Sequence, residues 1–485
     1  MAFAIDSRRI GFAVLAVATT AVLIWFGTGL FPMWPLMWFA PLPVLLFAGR
    51  SSWWATALVA GCAWLIGILN IWRYLHLFLQ APVLACVLLS LAIVFVLAVL
   101  LYRALLGRGA WWSAMLAFPA TWVSFEYLLN LVSVHGTASS LSYSQLNFLP
   151  FLQLASVTGP WGMSFLLFLF PSTLAVGLHL WRGERKQAMR ILGAGLGVIG
   201  LALIFGAVRL SLPVPGPRIR VGLIASDLAA NSDIADEGAE TARLFHDYAV
   251  QAEALAAQGA QLIVLPEKLG VVVERRTAAT DTLFQLLADK TGAEIVVGLV
   301  FVNSSAEYNQ ARVYTPHAAV VSYNKHHLLP PFESSLKPGN TLTFLPETRN
   351  RIAVAICKDL DFTPLSRQYG EAGTGLILAP AWDFTMDRVW HGHIAIMRGV
   401  EDGFSISRAA KLGFLTVSDN RGRILAEKRS DSAPFATLIA DVPAVHENTL
   451  YLLLGDWFAW VVLAVLAFTL VRLVQFAFFN RQPAH

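Results

Sequence analysis

Long uninterrupted apolar runs dominate the first 212 residues of the chain. A helix needs about 20 apolar residues to cross the hydrocarbon core of a bilayer. Seven runs meet that requirement, centred near Ala21, Trp38, Ala60, Val94, Trp122, Phe168 and Gly200, and an eighth, about Leu450 to Phe476, closes the chain. The basic residues sit in the short segments between them. Arg8 with Arg9, Arg50, Arg103 with Arg108, and the cluster Arg182, Arg185, Lys186 and Arg190 fall on alternate loops; the other loops hold little beyond Arg73. The positive-inside rule assigns that basic set to the cytoplasm. Seven crossings then bring the chain out on the far side just before Pro213, and the last returns it with Arg481 inside. The run Ile10 to Phe31 is too long for a signal core and no small-residue cleavage site follows it, so it is expected to be an uncleaved span.

From about Arg218 to His446 the pattern changes. A stiff Leu-Pro-Val-Pro-Gly-Pro linker, Leu212 to Pro217, precedes short β-branched runs that alternate with helical stretches. Strands are expected at Arg220 to Ala225, Gln261 to Leu265 and Glu294 to Val300, with helices at Glu240 to Gln258 and Thr280 to Lys290. Later strands crowd closer together, at Ala318 to Tyr323, Arg351 to Ile356, Gly375 to Ala379, Phe404 to Ser407, Phe414 to Val417 and Thr437 to Ile439. That crowding favours a sheet-rich α/β domain over a doubly wound parallel one. The expected organisation is a multi-domain chain: a bundle of about seven membrane helices at 1–212, an α/β domain at 213–446, and a last span with a short tail at 447–485.

Composition sharpens this picture. The 485 residues are 56% hydrophobic and only 14% charged, which excludes an ordinary soluble protein, and the 16 Trp and 31 Phe suit lipid-facing and headgroup-level surfaces. The net charge of +4 is not gathered into a stripe, so no nucleic-acid partner is expected. Of three cysteines, Cys62 and Cys86 lie in apolar runs, and the odd count argues against a disulfide framework. Cys357 remains to be explained.

Three strand ends each present one reactive residue: Leu-Ile-Val-Leu-Pro-Glu267, Tyr-Asn-Lys325-His-His-Leu-Leu-Pro, and Ala-Val-Ala-Ile-Cys357-Lys-Asp. Strand C-termini are where α/β folds place reactive groups. The three types complement one another: a thiolate is a strong nucleophile, an ammonium stabilises an oxyanion, and a carboxylate takes and returns a proton. Singly, each has an ordinary reading, as a packing cysteine, a helix-capping glutamate and a surface lysine. The chemistry is carried by their joint occurrence. His326 and His327 are adjacent and cannot face one metal from a strand, so no metal site and no cofactor are expected.

In this order and with these flanks, the motifs resemble the Glu-Lys-Cys signature of the nitrilase, or carbon-nitrogen hydrolase, superfamily. Val296 to Leu299, Tyr308-Asn309, Pro380-Ala381-Trp382, Arg398, Glu401 and Asp419 to Arg423 add to the likeness. The resemblance implies a four-layer αββα sandwich. Within that superfamily, seven spans before the domain and one after resemble the apolipoprotein N-acyltransferase family of the bacterial inner membrane. Phe118 to Glu126, Ser142 to Gln145, Gln153 to Ser156 and Gly159 to Gly162 support the likeness locally.

That resemblance implies an extracytoplasmic catalytic domain in which Cys357 attacks a phospholipid ester with Glu267 as base. Lys325 and a backbone N–H near Lys358 would hold the oxyanion, and the N-terminal amine of a diacylated lipoprotein would accept the acyl group from a thioester. Glu333 would orient Lys325 or Cys357, or else is a solvated loop carboxylate. Phe332, Trp382, Phe384 and Trp390 are candidate walls or lid for the acyl chain, with core packing the other reading of each. Glu126 is either a functional group at membrane depth or an interfacial one, and Gly193 with Gly197 has the spacing of a helix-packing face.

The chain also departs from the family. Lys358 and Asp359 follow the cysteine where Tyr-Glu is usual, and Pro330-Pro331-Phe332-Glu333 lacks the glycine of Pro-Phe-Gly-Glu. Lys-Leu-Gly follows Glu267 in place of Thr-Ala, and Tyr127 follows Glu126 in place of Arg. A membrane-anchored amidase, or an acyltransferase with another acceptor, is the alternative these changes leave open. A transporter or inactive scaffold is a weaker one, because the spans lack paired ionisable residues.

Overall fold

The computed structural model describes residues 7–346 and 351–479; Arg481, expected in the cytoplasm, lies outside them. The chain divides into two compact units. One is formed by residues up to Ser133, Ser139–Ser211 and the chain from Leu454; the other by Leu212–Leu453 together with the short segment Val134–Ala138.

Among the described residues of the first unit, six helices are long and apolar enough to cross a membrane: Arg8–Gly27, Trp53–Leu75, Ala81–Leu106, Ala155–Leu180, Arg185–Ser211 and Trp457–Gln475. The other two expected runs take different forms. Around Trp38 there are two short helices, Trp34–Phe39 and Leu42–Ala48, because prolines at 35, 41 and 43 remove amide donors and permit only helix starts. Around Trp122 there is one helix of 20 residues, Trp111–Asn130, in which Ser113, Ser124 and Glu126 are buried and Pro119 is internal. It has the length to cross but not the apolarity of the other six.

Glu126 is a structural anchor within this unit. Its carboxylate accepts from Trp122 Nε1 at 2.9 Å, Leu141 N at 2.9 Å and Ser140 Oγ at 3.4 Å, holding the start of the turn Leu141–Gln145. The expected packing role of Gly193 and Gly197 is not met, since a side chain at either would touch nothing. The close approaches on that helix are at Gly195, against Thr173, and at Gly206, against the Pro150 carbonyl. The final run is also divided: Gly455, with φ +62°, separates a short helix, Leu450–Leu454, from Trp457–Phe479.

The second unit is built on two mixed sheets. In chain order the first contains β1 (Arg218–Ala225), β2 (Leu262–Val264), β3 (Val271–Val273), β4 (Glu294–Val302), β5 (Glu307–Tyr314) and β6 (Val321–Asn324). The second contains β7 (Thr343–Phe344), β8 (Arg351–Val354), β9 (Thr374–Trp382), β10 (Ser405–Lys411), β11 (Phe414–Ser418) and β12 (Ile424–Arg429), after which β13 (Ala436–Pro443) returns to the first. The orders are β13-β1-β2-β4-β5-β6, with β3 beside β4, and β7-β8-β9-β10-β11-β12. Read in that direction, both sheets run antiparallel, parallel, parallel, antiparallel, antiparallel.

Side-chain alternation along the strands explains the layers. Leu262 and Val264 of β2, and Ile352 and Val354 of β8 with Ile356 just beyond it, enter one core shared by the two sheets. The intervening Ile263 and Leu265 face the helices Ala239–Ala257 and Thr277–Thr291. On the second sheet Ala353 and Ala355 face the helices Thr363–Glu371 and Trp390–Asp402. The result is the four-layer αββα sandwich. Two elements, β5 and the helix Trp390–Asp402, carry no clear apolar signal because their polar residues are buried: Asn309 and Gln310 in one, Arg398, Glu401 and Asp402 in the other.

One glycine sets how closely the first sheet approaches its reactive strand end. A Cβ on Gly298 of β4 would collide with the Pro266 carbonyl and lie 2.7 Å from Glu267 Cα. Gly298→Ala must therefore push Glu267 out of place, costing about 1–3 kcal/mol of stability by overpacking. A lowered melting temperature in the full-length protein, with a matching loss of activity, is the expected result.

Candidate active site

Each reactive residue leaves a strand whose neighbours hold it in place. Beyond β2, Glu267 N donates to Ala381 O of β9 at 3.3 Å, which ties the end of one sheet to the other. Beyond β6, Lys325 N donates to Asn309 O of β5 at 2.8 Å, and Gly339 N donates to Lys325 O at 2.9 Å. Beyond β8, Cys357 opens the short turn Cys357–Asp361 with φ +44°, a left-handed backbone that is uncommon for a residue with a side chain.

The ends bearing Glu267 and Lys325 meet in one buried polar cluster, and Cys357 interacts electrostatically with both residues. Lys325 Nζ donates to Glu267 at 2.8 Å and to Glu333 at 2.9 Å. Asn309 Nδ2 donates to both carboxylates, at 2.5 Å and 2.7 Å, and Glu333 also accepts from Lys268 Nζ at 2.7 Å and Leu329 N at 2.8 Å. Glu333, expected to orient Lys325 or Cys357 or else to lie in solvent, is buried and paired with Lys325. Two carboxylates and two ammonium groups balance, which is the condition for burying charge without a large penalty.

The electrostatics follow from that pairing. Burial works against the Lys325 ammonium, but Glu267 and Glu333 outweigh it and hold its pKa well above the ordinary lysine value. Burial would raise Glu333, yet Lys325 and Lys268 bring it down to about 2. The Cys357 thiol is pushed up, first by burial and then by Glu267, with Lys325 and Arg408 opposing. A resting thiol beside a carboxylate that can take its proton suits deprotonation coupled to attack.

The two residues that depart from the family pattern support the site from behind. Asp359 is fully buried; it accepts from Tyr323 Oη at 2.6 Å, His327 N at 2.8 Å, His326 N at 3.1 Å and Ile356 N at 3.1 Å. It thereby joins the residues after Lys325 to the turn bearing Cys357. The Lys358 side chain is spent elsewhere: Nζ donates to Val134 O at 2.8 Å, lies 3.4 Å from His135 Nδ1 and sits over the Phe362 ring. Of the oxyanion role expected near Lys358, what remains is its backbone N–H. Thr137 N and Oγ1 both reach Asp361 O, at 3.0 and 2.9 Å, and Gly136, with φ +53°, lies against the same carbonyl. A side chain there would not fit.

The expected apolar residues divide. Phe332 is 54% exposed, and its ring lies 5.4 Å from that of the half-buried Phe384. Trp382 is half-buried, with Lys411 Nζ 3.5 Å and Lys268 Nζ 5.1 Å from its ring. Its carbonyl accepts from Cys357 Sγ at 3.7 Å. Trp390, half-buried, begins the helix Trp390–Asp402, and its N donates to Asp387 O at 2.7 Å. His326 and His327 stack on Tyr323 and Phe362, and among the described residues no group of acidic, His and Cys side chains is disposed to hold a metal.

Several site residues are not marked in the sequence. Arg408 of β10, 1% exposed, reaches Cys357 Sγ at 4.0 Å and pairs through both terminal nitrogens with Asp383. Lys411, fully buried, has its pKa lowered to about 7 by burial and then by Lys268. His391 lies 3.1 Å from Asp387 and 3.5 Å from Asp361. The one available signal was charge inside otherwise apolar strand and helix patterns.

Comparisons with known proteins find matches in both parts of the chain. A family model described as the apolipoprotein N-acyltransferase N-terminal domain matches residues 20–173, and one described as carbon-nitrogen hydrolase matches 228–446. The chain is similar to an apolipoprotein N-acyltransferase of Geobacter metallireducens, 27% identical over 475 residues and 89% of each chain. A second, of Haemophilus ducreyi, is 24% identical over 365 residues, 68% of this chain and 70% of that one. Among solved structures, an amidase from Nesterenkonia sp. is 21% identical, covers 49% of this chain and 94% of its own, and superposes with a TM-score of 0.40. Fold and site thus define a carbon-nitrogen hydrolase domain joined to apolar helices. The chain carries a match to the apolipoprotein N-acyltransferase N-terminal domain followed by one to carbon-nitrogen hydrolase, and over most of its length it is similar to bacterial apolipoprotein N-acyltransferases.

Two outcomes follow for the supporting residues. Asp359→Asn replaces an acceptor-only carboxylate facing four donors with a group that must turn an N–H₂ toward one of them, costing about 3 kcal/mol. Activity should fall with it, while Asp359→Glu should recover part of the loss. For His391, burial disfavours the charged ring, but Asp361 and then Asp387 raise it from 6.5 to about 10. Its contribution to stability is therefore complete below pH 6.5 and lost as pH rises through about 10. Melting temperatures across that window should decline less steeply in His391→Gln than in the wild type.

Proposed function

We propose that this protein is an N-acyltransferase that moves a fatty acyl chain from a membrane phospholipid, through a thioester on Cys357, to the N-terminal amine of a diacylated lipoprotein. The reading is carried by the ammonium of Lys325 held between Glu267 and Glu333 at the strand end next to Cys357. The matches in both parts of the chain support the acyl donor and acceptor.

In this mechanism the Cys357 S–H bond breaks as its proton passes to Glu267, and sulfur forms a bond to the ester carbonyl carbon. Lys325 and the backbone N–H of Lys358 hold the oxyanion. Collapse breaks the ester C–O bond, and Glu267 returns the proton to the departing lysophospholipid oxygen. The acceptor amine then attacks the thioester carbonyl with Glu267 taking its proton, the C–S bond breaks, and Glu267 returns the proton to sulfur, which restores the thiol in a ping-pong cycle. Lys325 keeps its charge throughout, consistent with its raised pKa.

The alternating basic loops support a catalytic unit on the extracytoplasmic face of the bacterial inner membrane, with Arg8, Arg9, Arg50 and the Arg182 cluster on the opposite side. The exposed Phe332, with Phe384 beside it, is a candidate first contact for an acyl chain. Lys358 and Asp359 serve the support of the site, which favours an unchanged acyl-transfer chemistry over the amidase alternative.

The test uses the purified full-length enzyme with acyl-labelled phospholipid and a synthetic diacylated lipopeptide. Label should attach to the wild-type protein, be released by hydroxylamine and pass to the lipopeptide N-terminus as one added acyl chain by mass spectrometry. Cys357→Ala should carry no label, and Glu267→Gln should lose at least about 10³-fold in rate. Labelling that persists in Cys357→Ala, or release of free fatty acid with an unmodified lipopeptide, would exclude this reading.

A further inference from the structure

We propose that Arg408 is a catalytic residue: it donates to Cys357 Sγ and stabilises the negative charge that sulfur acquires when Glu267 takes its proton. The proposal rests on Cys357 being the nucleophile.

Lys325 alone is poorly placed for this task, because its ammonium is shared between two carboxylates, 2.8 Å and 2.9 Å away. The proton that leaves sulfur for Glu267 only moves negative charge within that cluster. A thiolate that also faces the Asp383 carboxylate needs a further positive group. Arg408 Nη2 lies 4.0 Å from Sγ, within reach of a long hydrogen bond to sulfur, and the residue is 1% exposed. A guanidinium does not deprotonate in proteins, so it can hold the thiolate without competing with Glu267 for the proton.

The setting is rigid. Arg408 stands in the middle of β10, paired with Ala379 of β9 on one side and Thr416 of β11 on the other. Asp383 accepts from both terminal nitrogens, Nη1 at 2.8 Å and Nη2 closer still, and its own N donates to Lys411 O at 3.0 Å. The carboxylate fixes the fork of the guanidinium and aims Nη2 at the sulfur. A charge fixed in advance of the reaction is the arrangement that stabilises developing charge without reorganisation. The charged groups acting on the thiol are Glu267, Lys325, Arg408 and Asp383, with Lys358 and Glu333 next to them. Arg408 and Asp383 act in opposite senses.

That opposition separates catalysis from a plain buried ion pair, since either single substitution damages the pair but only charge at sulfur gives shifts of opposite sign. The measurement is the rate of iodoacetamide alkylation of Cys357 in the purified full-length protein, read on its peptide by mass spectrometry from neutral to alkaline pH. Arg408→Gln should move the profile to higher pH and slow alkylation at a fixed pH by about tenfold. Asp383→Asn should move it to lower pH, and Arg408→Lys should fall between Arg408→Gln and the wild type. The double variant Arg408→Gln/Asp383→Asn replaces the ion pair with two amides and strands no charge, so it serves if a single variant does not fold. Its profile should shift upward by less than that of Arg408→Gln. An unshifted profile in folded Arg408→Gln or in the double variant, or shifts of the same sign in the two single variants, would overturn the proposal. Acyl transfer that survives Cys357→Ala would instead remove the nucleophile assignment on which it rests, a result independent of any alkylation profile.

Discussion

The ion pairs of Lys325 with Glu267 and Glu333 organise the catalytic half of this protein. Burying an ammonium costs several kcal/mol unless partners replace its water, and here the partners come from three separate parts of the chain. Glu267 follows β2, Glu333 closes the loop after β6, and Asn309 of β5 donates to both. Lys268 and the Leu329 amide complete Glu333. The cluster is neutral and closely hydrogen-bonded only when all of these segments are in register, so its formation reports that the first sheet and its crossing loop are assembled. The Glu267 amide extends the same constraint to the second sheet through Ala381.

Cys357 is set into this arrangement by its backbone. It takes a left-handed conformation, as do Lys268, immediately after Glu267, and Leu412, immediately after Lys411. Strain of this kind survives only where the surroundings over-determine it, and Asp359 supplies that determination for the nucleophile by accepting from the amides on both sides of the junction. The outcome is a thiol kept protonated at rest by burial and by Glu267. A thiolate present permanently would be open to oxidation and alkylation. One formed only as a carbonyl arrives is protected.

The parts of this arrangement visible in the sequence are those in which a local pattern matches a local structure. Apolar strands ending in Glu267, Lys325 and Cys357 alternate as strands should, and the αββα layering follows from that alternation. The helix count was less legible. Length and apolarity are enough for six spans, but the prolines near Trp38 divide one run, and the buried Ser113, Ser124 and Glu126 make another more polar than a lipid-facing helix. Gly193 and Gly197 had the spacing of a packing face, whereas the helix meets its neighbours at Gly195 and Gly206; spacing fixes which residues share a face but not which face turns inward. Arg408, Asp383 and Lys411 were hidden for a related reason. A buried charge is identified by its partner, and these partners lie 25 residues apart or more.

The change from Tyr-Glu to Lys358-Asp359 then acquires a physical meaning. Asp359 is one methylene shorter than glutamate, yet it still spans from the Ile356 amide to Tyr323 and the amides of His326 and His327, because the turn Cys357–Asp361 folds tightly around it. Lys358 carries its charge away from the sulfur to the Val134 carbonyl, where Gly136 and Thr137 lie against the end of the same turn. Both residues therefore act on what surrounds the turn, and Glu267 and Lys325 keep their own contacts. On the proposed reading, selection among acyl acceptors falls to side chains that meet the outside near Cys357, and the exposed Phe332, its neighbour Phe384 and the cation-flanked Trp382, whose carbonyl touches Cys357 Sγ, are the candidates.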